Sequence, residues 1–250
     1  MQVIVDDLLI NYARSGSGQV VVLLHGWGDR ASGMLSLQQV LDKKFDVIIP
    51  DLPGFGGSQM PNGAWGLDDY AAFIAAFLKK LEIRKTYALI GHSNGGAIAI
   101  RGLDGGQLVA EKLILLASAG IRGTYKGRVK VARYITKLGK TLSKPLPLNA
   151  KKSLRRKVYQ TIGSDMLIAE QLQETFKKIV TDDIRANAAK LTLPTLLIYG
   201  KNDTQTPLNY GETLHGLIKD SRLMILPEAG HFIHLEKRCE VVQLIQEFLK

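Results

Sequence analysis

The chain has 250 residues, 46% hydrophobic and 22% charged, with a formal net charge of +10. That length and balance fit one large globular domain with a substantial core and exclude a disordered or fibrous chain. A single cysteine, Cys239, excludes an internal disulfide framework and a cysteine-based zinc cage, and no stretch approaches the ~20 apolar residues of a membrane span.

The N-terminus, Met1-Gln2-Val3-Ile4-Val5-Asp6-Asp7, has neither the basic start nor the apolar run of a secretory signal, so the expectation is a cytoplasmic protein. Val3 to Val5 and Leu8 to Tyr12 flank Asp6-Asp7 and predict an opening β-hairpin. Val20 to Leu24 is a continuous β-branched and aliphatic run, the mark of a strand covered on both faces, and it ends in His25-Gly26-Trp27-Gly28. Met34 to Leu41 predicts a helix and Phe45 to Ile49 a buried strand. Asp51-Leu52-Pro53-Gly54-Phe55-Gly56-Gly57-Ser58 is a turn-rich loop in which Asp51 and Ser58 read as structural. Asp68 is expected to cap a helix whose Tyr70, Phe73, Ile74, Phe77, Leu78 and Leu81 recur at helical spacing.

Tyr87 to Ile90 then runs straight into Gly91-His92-Ser93-Asn94-Gly95-Gly96 and a small-residue helix. Strand, tight turn and helix form the context that a nucleophile elbow requires. The turn forces Ser93 into a strained backbone conformation between residues without side chains. Its hydroxyl then stands at a helix N-terminus, where an adjacent anion is favoured. A further strand is predicted over Lys112 to Ala117. Beyond the basic stretch that follows, strands are predicted at Pro194 to Tyr199, ending in Gly200-Lys201-Asn202-Asp203, and at Arg222 to Leu226, before Gly230-His231. Leu208 to Ile218 reads as a helix, and Val241, Val242, Leu244, Ile245, Phe248 and Leu249 make the last helix amphipathic. Strands alternating with helices argue for an α/β fold with a mostly parallel central sheet flanked by helices on both faces.

Loops after parallel strands gather at one sheet edge, which brings Ser93, Asp203 and His231 into range of one another, in the chain order of a triad built on an elbow. A serine hydroxyl needs a base within hydrogen-bond reach, and His231 is the candidate because free imidazole titrates near neutrality. Asp203 would accept the other ring N–H and fix the tautomer. The backbone N–H groups of Asn94 and Trp27 are the expected oxyanion donors, aimed by Gly26 and Gly28 and supported by His25. The Trp27 side chain would project toward substrate. His234 is a rival for general base. Packing is the plainer reading of His92, and exposure on a helix that of His215. No metal and no organic cofactor is needed.

These landmarks resemble, in order and over nearly the full length, those of the α/β-hydrolase fold superfamily, in its small form with a helical lid. The resemblance implies a lid inserted between the strand ending at Ala117 and the one beginning at Pro194. The expected division is therefore a core of residues 1–120 and 191–250 with a basic helical lid at 121–190. From Arg122 to Lys190, seventeen Lys and Arg face five acids, so the basicity of the chain belongs to this one segment. Lys126, Lys130, Arg133 and Lys137 recur beside Val129, Ala132, Ile135 and Leu138, and Pro145 and Pro147 end that predicted helix before another from Ser153 to Ile162. The plain reading is lysines in water above an apolar face. The sharper one is attraction to an anionic substrate or a membrane surface. With few interleaved aromatics (Tyr125, Tyr134, Tyr159), nucleic acid is disfavoured. Asp165, Asp182 and Asp183 read as caps or solvated charges.

The expected activity is a serine hydrolase, carboxylesterase-like, cleaving a small-molecule carboxylic ester through an acyl-enzyme. Dehalogenases and epoxide hydrolases of the superfamily carry an acid where Ser93 stands. Its carbon–carbon bond hydrolases commonly flank the serine with Asn and Met, where this chain has His92 and Asn94. Cleavage of a vinylogous diketone is the first alternative. A ligand-binding protein that kept the triad is the second. Oligomeric state is not legible in the sequence.

Overall fold

The computed structural model describes residues 1–122 and 172–250. The apolar run at the centre explains the layers. Within β3 (Val20–Leu24), Val22 and Leu24 point into one buried cluster and Val21 and Leu23 into another, all four fully buried. A strand apolar on both sides must be covered on both sides. Truncating such a side chain typically costs ~2–5 kcal/mol, a large part of a domain's ~5–15 kcal/mol, so the alternation fixes the layer arrangement.

The sheet has eight strands in the order β1-β2-β4-β3-β5-β6-β7-β8. The hairpin β1 (Gln2–Val5) and β2 (Leu8–Ser15) is antiparallel, and β2 also pairs antiparallel with β4 (Asp46–Pro50). That second pairing carries β2 past Tyr12, where the hairpin alone is predicted to end. The remaining neighbours, through β5 (Thr86–His92), β6 (Ala110–Leu116), β7 (Thr195–Gly200) and β8 (Ser221–Leu226), are parallel.

Helices α2 (Leu67–Lys80) and α3 (Asn94–Asp104) cover one face, and α1 (Leu35–Leu41) and α8 (Arg238–Phe248) the other. The cap of α2 differs from the sequence reading. Gly66 is the N-cap, and Asp69 in the first turn accepts its N–H at 2.7 Å, so Asp68 lies inside the helix. A 3-10 turn, Ala31–Met34, precedes α1 and takes the residue predicted to start it.

The long connection from β6 to β7 is the insertion point. Its described part holds α4 (Gln173–Thr181) and α5 (Arg185–Ala188). Ile179, Ile184 and Ala188 are buried in the same cluster as α2 and α3. Arg101 of α3 reaches Asp182 at 2.7 Å and Asp68 at 3.5 Å, which ties the corner between α4 and α5 to the core. Asp183 pairs with Arg185. The stripes between Lys126 and Leu138, the helix expected from Ser153, Tyr125, Tyr134, Tyr159 and Asp165 lie outside the described residues. After β7 come α6 (Leu208–Leu217), β8 and α7 (Ile233–Glu236). His215 is exposed on α6 as predicted.

Candidate functional site at the carboxyl edge of the sheet

Ser93 occupies φ 50°, ψ −117°, a left-handed conformation for a residue with a side chain, at the junction of β5 and α3. Neighbouring strands hold that turn from outside. The Ser93 N–H donates to the Leu116 carbonyl at 3.0 Å, and its own carbonyl accepts from Ala119 at 2.9 Å. The flanking glycines are required by close approach. A Cβ at Gly91 would run into the α3 backbone at Gly96, and one at Gly95 into the carbonyls of Leu24 and His25. The elbow is therefore wedged between β3 and α3, with no room for a methyl group.

Two loops further along the sheet, Asp203 and His231 meet. His231 Nδ1 lies 2.7 Å from Asp203 Oδ2, and both side chains are almost wholly shielded from solvent. Burial works to raise the Asp203 pKa, but hydrogen bonds from His231 and Thr206 outweigh it and hold the carboxyl below its ordinary value. A carboxylate can only accept, so Nδ1 carries the proton and Nε2 is left as the free lone pair. His234 does not replace His231 beside Asp203. It sits fully buried in α7, its ring 4.6 Å from that of His92.

Thr206, absent from the sequence reading, completes this arrangement. Its hydroxyl lies 2.7 Å from Asp203 Oδ2, 3.1 Å from His231 Nδ1 and 2.9 Å from the Ala117 carbonyl, and its N–H donates to Asp203 Oδ1 at 2.9 Å. The spacing Asp203-x-x-Thr206 ahead of Pro207 was the available signal, since an acid followed by turn residues folds back onto their amides. His92 also does more than fill space. Its Nε2 donates to the His231 backbone carbonyl at 3.1 Å, joining the residue before Ser93 to the loop that carries the imidazole.

The loop after β3 closes the third side. A Cβ on Gly26 would lie 3.1 Å from Ser93 Cβ, so this loop runs directly past the serine. The Leu52 N–H donates to His25 Nε2 at 2.9 Å, which leaves the ring proton on Nδ1, 2.8 Å from the Gly26 carbonyl. Both bonds need a neutral imidazole, and burial lowers its pKa. Gly28 has φ 75°, the left-handed conformation that lets the chain turn after Trp27. Asn94 begins α3, and the first amides of a helix have no intrahelical partner. The Trp27 ring packs between Phe55 at 5.0 Å and Phe176 of α4 at 5.1 Å. Its indole N–H and the buried Asn94 carboxamide have no hydrogen-bond partner among the described residues.

Asp51 is a structural hub, as the sequence reading had it. Its carboxylate accepts from Ala31 N at 2.6 Å, Gly57 N at 2.7 Å and Asn11 at 2.9 Å.

Residues 21–244 match the model of the alpha/beta hydrolase family. The chain belongs to this family. Among relatives of this hydrolase, the 2-hydroxy-6-oxo-2,4-heptadienoate hydrolase of Pseudomonas putida is 27% identical over 253 residues, covering 94% of this chain and 90% of the relative. A solved bacterial structure described as a membrane phospholipase A and a virulence factor is 25% identical with a TM-score of 0.78, covering all of this chain and 84% of the other. A thermophilic esterase from Thermogutta terrifontis, 22% identical with a TM-score of 0.73 and covering 100% and 97% of the two chains, shares the fold. Among the described residues of this hydrolase, no helix is long and apolar enough to cross a membrane.

Proposed function

We propose that the chain is a serine hydrolase that cleaves carboxylic esters through an acyl-enzyme. The observation that carries the reading is the His231–Asp203 contact of 2.7 Å, on a loop bonded at the His231 carbonyl by His92, the residue before a serine held at φ 50°. His231 Nε2 takes the Ser93 proton as Oγ attacks the ester carbonyl, and Asp203 stabilises the imidazolium that forms. The amides of Asn94 and Trp27 hold the oxyanion, each worth ~3 kcal/mol of barrier. On collapse the C–O bond breaks and the imidazolium gives its proton to the departing alkoxide. A water then loses its proton to His231, attacks the acyl carbon and releases the acid and Ser93.

In this reading residues 121–190 act as the lid over residues 1–120 and 191–250, and Phe176 against Trp27 and Asp182 against Arg101 are among the described contacts between the two parts. The unpartnered Asn94 carboxamide and Trp27 indole would meet polar atoms of the substrate. The basic composition of the segment favours anionic esters, so rates on anionic esters should exceed those on neutral ones at low salt and converge as salt is raised.

Carbon–carbon bond hydrolysis is the second reading, favoured by the likeness to the heptadienoate hydrolase. Both reactions use the same residues on different electrophiles. Product release from an aryl ester and from a ring-cleavage vinylogous diketone, measured for wild type and Ser93→Ala, separates them. Faster turnover of the diketone replaces the ester reading. Stoichiometric serine labelling with turnover of neither supports a binding protein.

A further inference from the structure

Next to the elbow lies a second group of chemistry-bearing side chains that the hydrolase reading leaves unused as ligands. One carboxylate oxygen of Asp29 and one ring nitrogen each of His92 and His234 all lie within 4.8 Å of one another. His92 is 1% exposed and His234 fully buried. Nδ1 of His92 has no hydrogen-bond partner among the described residues, and the His234 ring faces the Gly33 backbone without a well-formed bond to it. Unsatisfied polar atoms at such depth are rare and ask for a reason.

The bond from His92 Nε2 to the His231 carbonyl supplies part of it. That nitrogen must carry the proton, so Nδ1 presents a bare lone pair. A ligating histidine is ordinarily oriented in this way, its second nitrogen donating to a backbone carbonyl. The two imidazoles meet edge-to-face at 63°, with ring centroids 4.6 Å apart. Gly33 makes room for the third group, because a Cβ there would collide with the Asp29 carboxylate. Asp29 is half-buried, less enclosed than either histidine.

We propose that Asp29, His92 and His234 form a binding site for a divalent transition-metal ion of the zinc type. Two imidazoles and one carboxylate suit zinc, cobalt or nickel and not magnesium or calcium, which require oxygen donors. Ligands around a tetrahedral zinc stand ~3.4 Å apart, given bonds of about 2.0–2.2 Å. Rotation of the half-exposed Asp29 side chain draws the set together. A water takes the fourth position. The ion clamps three loops at once: the turn after β3, the elbow at His92 and the start of α7 three residues beyond His231. The site stands independently of the ester reading, since it uses neither Ser93 nor Asp203.

The test is equilibrium dialysis of the chelator-treated full-length chain against Zn2+, with Mg2+ in parallel and folding checked by circular dichroism. One tightly held Zn2+ per chain is expected, with Mg2+ not retained. Asp29→Asn and His234→Gln should each weaken Zn2+ binding at least tenfold, and His231→Ala and Cys239→Ser should keep it. Cobalt loading should give the intense visible absorption of a tetrahedral site, lost in Asp29→Asn, which lies in an open turn and keeps the fold if His234→Gln does not. No stoichiometric Zn2+, equal retention of Mg2+, or binding lost in His231→Ala or Cys239→Ser but kept in Asp29→Asn would overturn the proposal.

Discussion

His92 Nε2 and the His231 carbonyl stand 3.1 Å apart, a hydrogen bond that joins the strand end carrying the serine to the loop carrying the imidazole. The His231 ring itself is held by Asp203 and Thr206 and packs against the His92 ring at 4.9 Å. His92→Leu should therefore lower kcat by ~10–100-fold with KM nearly unchanged, because small misplacement of reacting groups costs about that much. His92→Gln, which keeps a donor, should recover part of the loss. Equal losses in both variants would assign His92 to packing alone.

Thr206→Val removes a hydroxyl that touches Asp203, His231 and Ala117 while preserving shape. A lost buried hydrogen bond costs ~1–3 kcal/mol when its partner stays unsatisfied. Urea titration should show a loss of that order. The Asp203 carboxyl should also titrate at higher pH by NMR, because Thr206 is among the groups that hold it below the ordinary carboxylate range. An unchanged Asp203 titration would count against that role.

Asp203→Asn should cost ~10^4 in kcat, the effect of the wrong imidazole tautomer in a Ser-His-Asp constellation. Ester turnover in stopped assays measures it directly. A loss below tenfold would remove Asp203 from the proton-handling chain.

His25 is neutral in the fold and its pKa is lowered by burial, against a partial opposing pull from its bond to the Gly26 carbonyl and from Asp29 and Asp51. The unfolded chain then binds a proton that the folded chain refuses. Stability from this group is complete above about pH 6.5. It falls as pH drops from there toward the folded value, with a slope of up to about one proton. In chemical denaturation from pH 8 to 5, His25→Gln should be less stable at pH 8 and show a flatter decline. An identical slope in the variant would contradict this.

Glycine substitutions separate close approach from open space. Gly95→Ala places a methyl group against the Leu24 and His25 carbonyls, which cannot yield without moving β3, and overpacking of this kind costs ~1–3 kcal/mol or more. Gly216 in α6 meets nothing within 4 Å, so Gly216→Ala should stabilise by ~0.5–1 kcal/mol through helix propensity. Thermal melts of the two variants should shift in opposite directions.

Fold and site differed in how far the residues alone revealed them. Val20 to Leu24 announced a doubly covered strand because burial on both faces leaves no polar position, and Gly91-His92-Ser93-Asn94-Gly95 announced the elbow because few other backbones tolerate that pattern. Less visible were features that depend on partners distant in the chain. Thr206 and His92 act through contacts to residues 117 and 231, which no local spacing encodes. Asp69, not Asp68, serves the start of α2, because the chain turns at Gly66 and the carboxylate three residues on reaches back to its N–H. His234 looked like a spare base in the sequence. Its burial against His92, beside Asp29, appears only once β5 and α7 are packed together.

Fluorophosphonate labelling followed by peptide mapping tests the central claim most directly. The account predicts one adduct per chain, on Ser93, at a rate that falls at least ~10^3-fold in His231→Ala with the fold intact. Labelling at another residue, or an unchanged rate on Ser93 without the His231 imidazole, would contradict it.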